Sequence, residues 1–132
     1  MKLLNIAGLF AVAILIVSCA TRQVIIPEDL SAAEIIQRAQ EASDRNRYNT
    51  SLQYYETILE RFPGSTEYVL AAEYEIAFIH YKRRNYSLSR TGFNAILERY
   101  NDPDAALLPP QYEVLANIVL GRIEEREAGR GR

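Results

Sequence analysis

Two groups of residues in this 132-residue chain have the types and spacing to do chemistry. The first is one thiol, Cys19, which follows an unbroken apolar run over residues 9–17 and the small residue Ser18. Sulfur is the side-chain atom most easily made into a strong nucleophile near neutral pH, and that is the chemistry a lone Cys offers. The second group is aromatic: Tyr74, Phe78 and Tyr81 recur at intervals of four and three, along one helical stripe. Tyrosine offers a large contact area, little rotamer entropy to lose and a polar tip, which suits capture of another polypeptide. The same spacing equally suits a packed core.

Other chemistries are poorly served. The chain has 15 Lys+Arg against 17 Asp+Glu, one His, one Cys and no Trp. Beyond residue 18 the balance is 14 basic against 17 acidic side chains, with signs mixed, which argues against a nucleic-acid binder. One Cys excludes an internal disulfide, and one Cys with one His excludes a Cys/His zinc cluster. No Gly-rich phosphate loop is present, and His80 has no nucleophile or acid set beside it by sequence. Glu124, Glu125 and Glu127 read as a solvated face. We expect no enzyme, no metal and no cofactor. The densest basic cluster, Lys82-Arg83-Arg84, falls at a helix end, where cations complement the dipole by about 0.3–1 kcal/mol. Contact with acidic headgroups or a partner is its alternative role.

The first eighteen residues hold 14 apolar side chains and one charge, Lys2. A basic start, a short apolar core and a small residue at its end mark a secretory signal peptide. Its last four residues, Ile16-Val17-Ser18-Cys19, resemble the lipobox of bacterial lipoproteins. That resemblance implies a diacylglyceryl group (palmitate or a similar chain) on Cys19, cleavage before it, and acylation of the new N-terminus. It also implies sorting to the outer membrane, because Ala20 and Thr21 are not the acidic residues that retain such proteins at the inner one. An uncleaved membrane anchor, with residues 3–20 at the short edge of a span, and an ordinary secreted protein are the alternatives. Residues 19–30 then form a short lipidated tether that includes Pro27.

From Ser31 onward the apolar residues recur at three and four, the helical period, and no strand pattern stands out. Ser31 and Glu34 form a capping box, with Leu30 and Ile35 as its hydrophobic staple. This first helix presents Ile35, Ala39 and Ala42 on one side and ends near residues 44–47. A second helix is predicted over 49–62, stopped by Pro63-Gly64, and a third over 66–83. The third is apolar on two sides, Val69, Ala72, Ile76 and Ala77 against Leu70, Tyr74, Phe78 and Tyr81, as befits a helix between neighbours. A fourth covers 86–100. A fifth starts near Pro110 and turns Tyr112, Leu115, Ala116, Val119 and Ile123 inward. The domain spans 31–127, and residues 128–132 are predicted as a flexible tail.

Residues 48–62 and 86–100 repeat one another at an offset of 38, with Tyr48/Tyr86, Ser51/Ser89, Tyr55/Phe93 and an Ile-Leu-Glu-Arg run before Phe62/Tyr100. Self-similarity at this spacing is the signature of stacked helix pairs. The pattern resembles the tetratricopeptide repeat: small Ala39 and Ala77 in the first helices, Ser51 and Ser89 early in the second, large Tyr55 and Phe93 after them, and Pro63 at the close. Arg38, Ala42 and His80 depart from it, and an unrelated small helical bundle is the other reading. The resemblance implies an all-α fold of about two and a half helical-hairpin repeats, five helices, with the fifth as a cap or a truncated third repeat. With the lipobox in front, the chain resembles the N-terminal part of the BamD (YfiO/ComL) family of outer-membrane lipoproteins, members of the β-barrel assembly machinery. That likeness implies a lipid-anchored adaptor, facing the periplasm, whose partners are unfolded outer-membrane proteins or barrel-assembly subunits. The family's C-terminal repeats, which dock on the barrel subunit, have no counterpart here. In such repeats the first helices line the peptide groove, which on this chain gives Tyr74, Phe78 and Tyr81, with Ile36, Gln40 and Ser43 in the first repeat. The alternative is a scaffold lipoprotein of another envelope complex, such as a pilus, secretion, flagellar-collar or Tol-Pal-linked assembly.

Overall fold

A computed structural model describes residues 23–131. The expected signal peptide, Cys19 and the first part of the expected tether lie outside the described residues. Among those described there is no strand, and five α-helices follow in order: α1 (Ala32–Asp44), α2 (Tyr48–Arg61), α3 (Thr66–Lys82), α4 (Tyr86–Arg99) and α5 (Gln111–Arg130). Each predicted helix is present, with ends within two residues where the sequence sets both.

The capping box forms at the start of α1. The Glu34 backbone N–H donates to Ser31 Oγ at 3.3 Å, and the Ser31 N–H donates to Glu34 Oε2 at 2.9 Å. α1 and α2 are joined by a tight turn with Asn46 in the left-handed region (φ 57°); α3 and α4 are joined by the same turn with Arg84 there (φ 61°). In the first, Arg47 N–H donates to Ala42 O at 2.8 Å and Asn46 N–H to Ser43 O at 2.9 Å. In the second, Asn85 N–H donates to His80 O at 2.8 Å and Arg84 N–H to Tyr81 O at 2.9 Å. This is the paired hydrogen bonding of a Schellman helix end, here without the usual Gly. The spacing of 38 seen in side chains thus recurs in the backbone.

α3 lies between two apolar clusters. On one side Ala72 and Ile79 meet Ala32, Ile35, Ala39, Tyr55 and Ile58 of the first hairpin. On the other, Leu70, Tyr74 and Ala77 meet Tyr86, Phe93 and Ile96 of α4 and Ala116, Val119 and Ile123 of α5. Ala77 therefore faces α4 and not, as the sequence pattern has it, the side of Ala72. The reason is the helix crossing: a Cβ built on Gly92 of α4 would lie 2.8 Å from Ala77 Cβ, so both residues must be small there. In the first hairpin Ser51 Oγ donates to Ala39 O at 2.8 Å, tying α2 to α1.

Two segments gain detail and one expectation, the inward Leu115, is corrected. Residues 23–30, the described part of the expected tether, lie along the first hairpin. Arg61 donates from both Nη atoms to the Pro27 and Ile26 carbonyls (2.8 and 3.0 Å), Val24 N–H donates to Gln53 Oε1 at 2.7 Å, and Ile26 and Leu30 pack on the first cluster. The C-terminal tail is helical as far as Arg130, through Gly129, so α5 is longer than a domain ending at 127 requires. Leu115 points outward, 38% exposed, because α5 turns Ala116, Val119 and Ile123 to the core. The connection into α5 also carries a 3₁₀ turn, Pro103–Leu107, pinned by Tyr100 Oη donating to Pro109 O at 2.6 Å.

Tyr55 is fully buried, yet its hydroxyl has no hydrogen-bond partner among the described residues, and burial pushes its pKa up. Its counterpart 38 residues on is Phe93, which carries no hydroxyl to satisfy. Tyr55→Phe is therefore expected to stabilise the protein by about 1 kcal/mol, because a buried hydroxyl without a partner loses its hydration uncompensated. A higher urea midpoint at unchanged slope is the reading that checks it.

Candidate protein-binding face

The aromatic stripe of α3 is the middle of a longer row of rings. Tyr112 of α5 lies 5.6 Å from Tyr74, centroid to centroid; Tyr74 lies 5.9 Å from Phe78, Phe78 5.7 Å from Tyr81, and Tyr81 6.0 Å from Tyr86 of α4. The two steps within the stripe are nearly coplanar stacks, at 18° and 15°. The spacing of four and three residues on α3 brings successive rings over one another, as side chains on one helix face must be.

Burial divides the row. Tyr74 is 8% exposed and belongs to the core, with Phe93 tilted against it at 5.4 Å. Phe78 and Tyr81 are only partly covered. Of the six candidate groove residues, then, Tyr74, Phe78 and Tyr81 are brought together, with Tyr74 as their support. Ile36 packs on the first cluster and Gln40 is exposed; neither joins the row. α1 instead reaches this face through Ser43, whose Oγ accepts a hydrogen bond from Lys82 Nζ.

Two cations border the open rings. Lys82 Nζ sits 5.1 Å from the Tyr48 centroid and 5.3 Å from that of Phe78, and Arg126 Cζ lies 5.3 Å from that of Tyr81. Each is within cation–π range of its ring. Lys82 thus has a side-chain role on this face besides its place near the end of α3. Neither Tyr48 nor Arg126 is predicted for the site from the sequence. Lys82 could have been found from its position four residues after Phe78, the spacing that stacks side chains on a helix. Arg126 could not, since only the docking of α5 places it.

Glu75 stands on the same helix, three residues before Phe78. Burial pushes its carboxyl above the ordinary 4.5, Lys82 draws it down and Asp44 raises it again; the net direction is up. A carboxyl with a raised folded-state pKa favours the fold at low pH, and that contribution is lost as pH rises through the elevated value. Glu75→Gln should therefore melt higher than the parent at pH 7 and match it at pH 4, which a pair of thermal scans would show.

Glu127 pairs with Arg90 of α4 at 2.5 Å, so one member of the acidic face ties α5 down. Glu73 pairs with Arg99 at 2.6 Å on the far side of α3, beside His80, whose pKa is lowered by burial and by Arg83. Among the described residues no three His, Cys, Asp or Glu side chains are grouped to hold a metal ion, and no helix is long and apolar enough to cross a membrane.

No family model and no solved structure matches the chain. It is similar to an uncharacterized protein of Treponema pallidum (strain Nichols), 34% identical over 109 residues, which cover 81% of this chain and 44% of that protein. The chain therefore spans less than half of that relative's length.

Proposed function

We propose that this chain is a lipid-anchored, non-enzymatic adaptor whose tetratricopeptide-like hairpins hold an extended polypeptide at the outer membrane during β-barrel protein assembly. The observation that carries the binding role is the partly open ring pair Phe78 and Tyr81, stacked on the buried Tyr74 and bordered by Lys82 and Arg126. Rings held flat by a core residue lose little entropy when they take up a ligand, and the flanking cations favour segments that carry a carboxylate beside an aromatic. The likeness of the lipobox and of the repeats to the BamD family supports barrel assembly as the setting.

Synthetic peptides with alternating apolar residues and an aromatic C-terminus, the pattern of a terminal barrel strand, are the direct probe. The double variant Phe78→Ala/Tyr81→Ala should bind them at least ~10-fold more weakly, since interface aromatics often contribute over 1 kcal/mol each. Its far-UV circular dichroism should stay unchanged because Tyr74, the core ring, is kept. Equal binding by parent and variant would remove the face from consideration. Capture from detergent-solubilised membranes of barrel-assembly subunits, and not of motor or pilus proteins, tests the setting.

A further inference from the structure

α5 packs inward through Ala116, Val119 and Ile123, with Tyr112 and Leu120 partly covered beside them. Along its opposite side, at intervals of four and three, run Val114, Ile118, Gly121 and Glu125. Val114 is 57% and Ile118 44% exposed, and exposed Leu115 adjoins them. Gly121 is the odd residue. Glycine in a helix interior weakens the helix, and a Cβ at this position would meet nothing within 4 Å. Gly92, the mid-helix glycine of α4, has its reason in the crossing with Ala77. Gly121 has none within the described chain.

The register of α5 on α3 supplies one. Tyr68, Ala72 and Ile79 of α3 face the preceding hairpin; 44 residues on stand Tyr112, Ala116 and Ile123, which face the preceding hairpin from α5. In the same register Leu70, Tyr74 and Ala77 fall on Val114, Ile118 and Gly121. On α3 those three are buried against α4 and α5, with Ala77 at the closest crossing. Among the described residues, no helix covers their counterparts on α5.

We propose that the outer face of α5 is a docking site for one α-helix of another protein, crossing closely at Gly121, with an apolar stripe and basic residues along one edge. The charges choose this occupant. Glu113 and Glu124, both exposed, border the stripe on one edge together with Asn117, while Leu115 and Arg122 border the other. A second copy of α5 fits badly either way round. Antiparallel pairing about Gly121 lays Glu124 beside Asn117 of the mate with no cation on that edge to meet it, and parallel pairing sets Glu125 on the stripe against its own mate. A helix with Lys or Arg along the facing edge meets Glu113 and Glu124 favourably. This surface is separate from the Phe78–Tyr81 face and does not depend on it.

The test uses the full chain in its own membranes, with p-benzoylphenylalanine in place of Ile118 as the photo-probe and the same group in place of exposed Asn94 as control. The expected result is one adduct from position 118 and none from 94. By mass spectrometry it should map to a segment of another protein with apolar residues at three and four and Lys or Arg along one edge. Gly121→Leu, which fills the notch, should lower its yield at least ~10-fold while leaving peptide binding at Phe78 and Tyr81 unchanged. In the purified protein Gly121→Ala should raise the Tm by a few degrees, because the helix gains and nothing is crowded. An adduct to a second copy, to a segment without the basic edge, or indifferent to Gly121→Leu overturns the proposal. So does no adduct, or a fall in Tm with Gly121→Ala.

Discussion

Phe93→Ala should destabilise the protein by about 3–5 kcal/mol, the range for deleting a buried aromatic, and with it most of the aromatic face. Phe93 is fully buried where α3, α4 and α5 meet, and its ring leans on Tyr74 at 5.4 Å. Truncation therefore leaves a cavity under Tyr74 as well as losing the ring–ring contact, worth some 0.5–1.5 kcal/mol in itself. A domain of this size holds about 5–15 kcal/mol in all, so the variant sits much nearer its unfolding threshold. Phe93→Leu, which keeps most of the volume, should lose clearly less. Urea midpoints at equal slope give both numbers. A loss under ~1 kcal/mol for Phe93→Ala would mean that α4 and α5 do not share a core through this ring.

That core was only half visible in the amino-acid order. Helix positions were legible because local rules mark them: Ser31 and Glu34 bond one another across three residues, and Pro63-Gly64 cannot continue a helix. The repeat was legible because Tyr55 and Phe93 stand at the same place in two hairpins, each ring fully buried. The turns that set that spacing were not, since Asn46 and Arg84 adopt the left-handed conformation where a Gly would have announced it. Ala77 was misplaced because alanine is too small to declare a side; the crossing with Gly92 decides it, and that is a tertiary fact. The docking of residues 23–30 was likewise hidden. It depends on Arg61 reaching two backbone carbonyls more than thirty positions away, and carbonyls have no sequence signature. At the binding face the stripe itself could be read, but not its division into one buried and two open rings. α4 and α5 impose that division by closing over Tyr74.

Cys19→Ala should move the protein from the membrane pellet to the soluble fraction almost completely, the largest functional effect of any single change here. Alanine has no thiol to receive a lipid, and the chain has no second cysteine to replace it. Each buried methylene contributes about 0.8 kcal/mol, and one acyl chain alone holds a protein only weakly and reversibly, so two or three chains on one residue make the difference between transient and stable attachment. The described fold sharpens the consequence. Residues 23–30 are clamped along the first hairpin by Arg61 and Gln53, and only four positions separate Gln23 from Cys19. Four residues reach at most about 14 Å even when fully extended, so the lipid would hold the first hairpin close against the bilayer surface. Loosening that clamp with Arg61→Ala should lengthen the leash without releasing the protein, a distinction visible as protease access at residues 23–30 with the membrane fraction unchanged. Intact-mass measurement supplies the control for the alternatives: a lipid adduct on a chain starting at Cys19 in the parent, and none in Cys19→Ala. If Cys19→Ala stays with membranes through a high-salt wash and retains residues 1–18, the anchor is an uncleaved helix and the lipid plays no part.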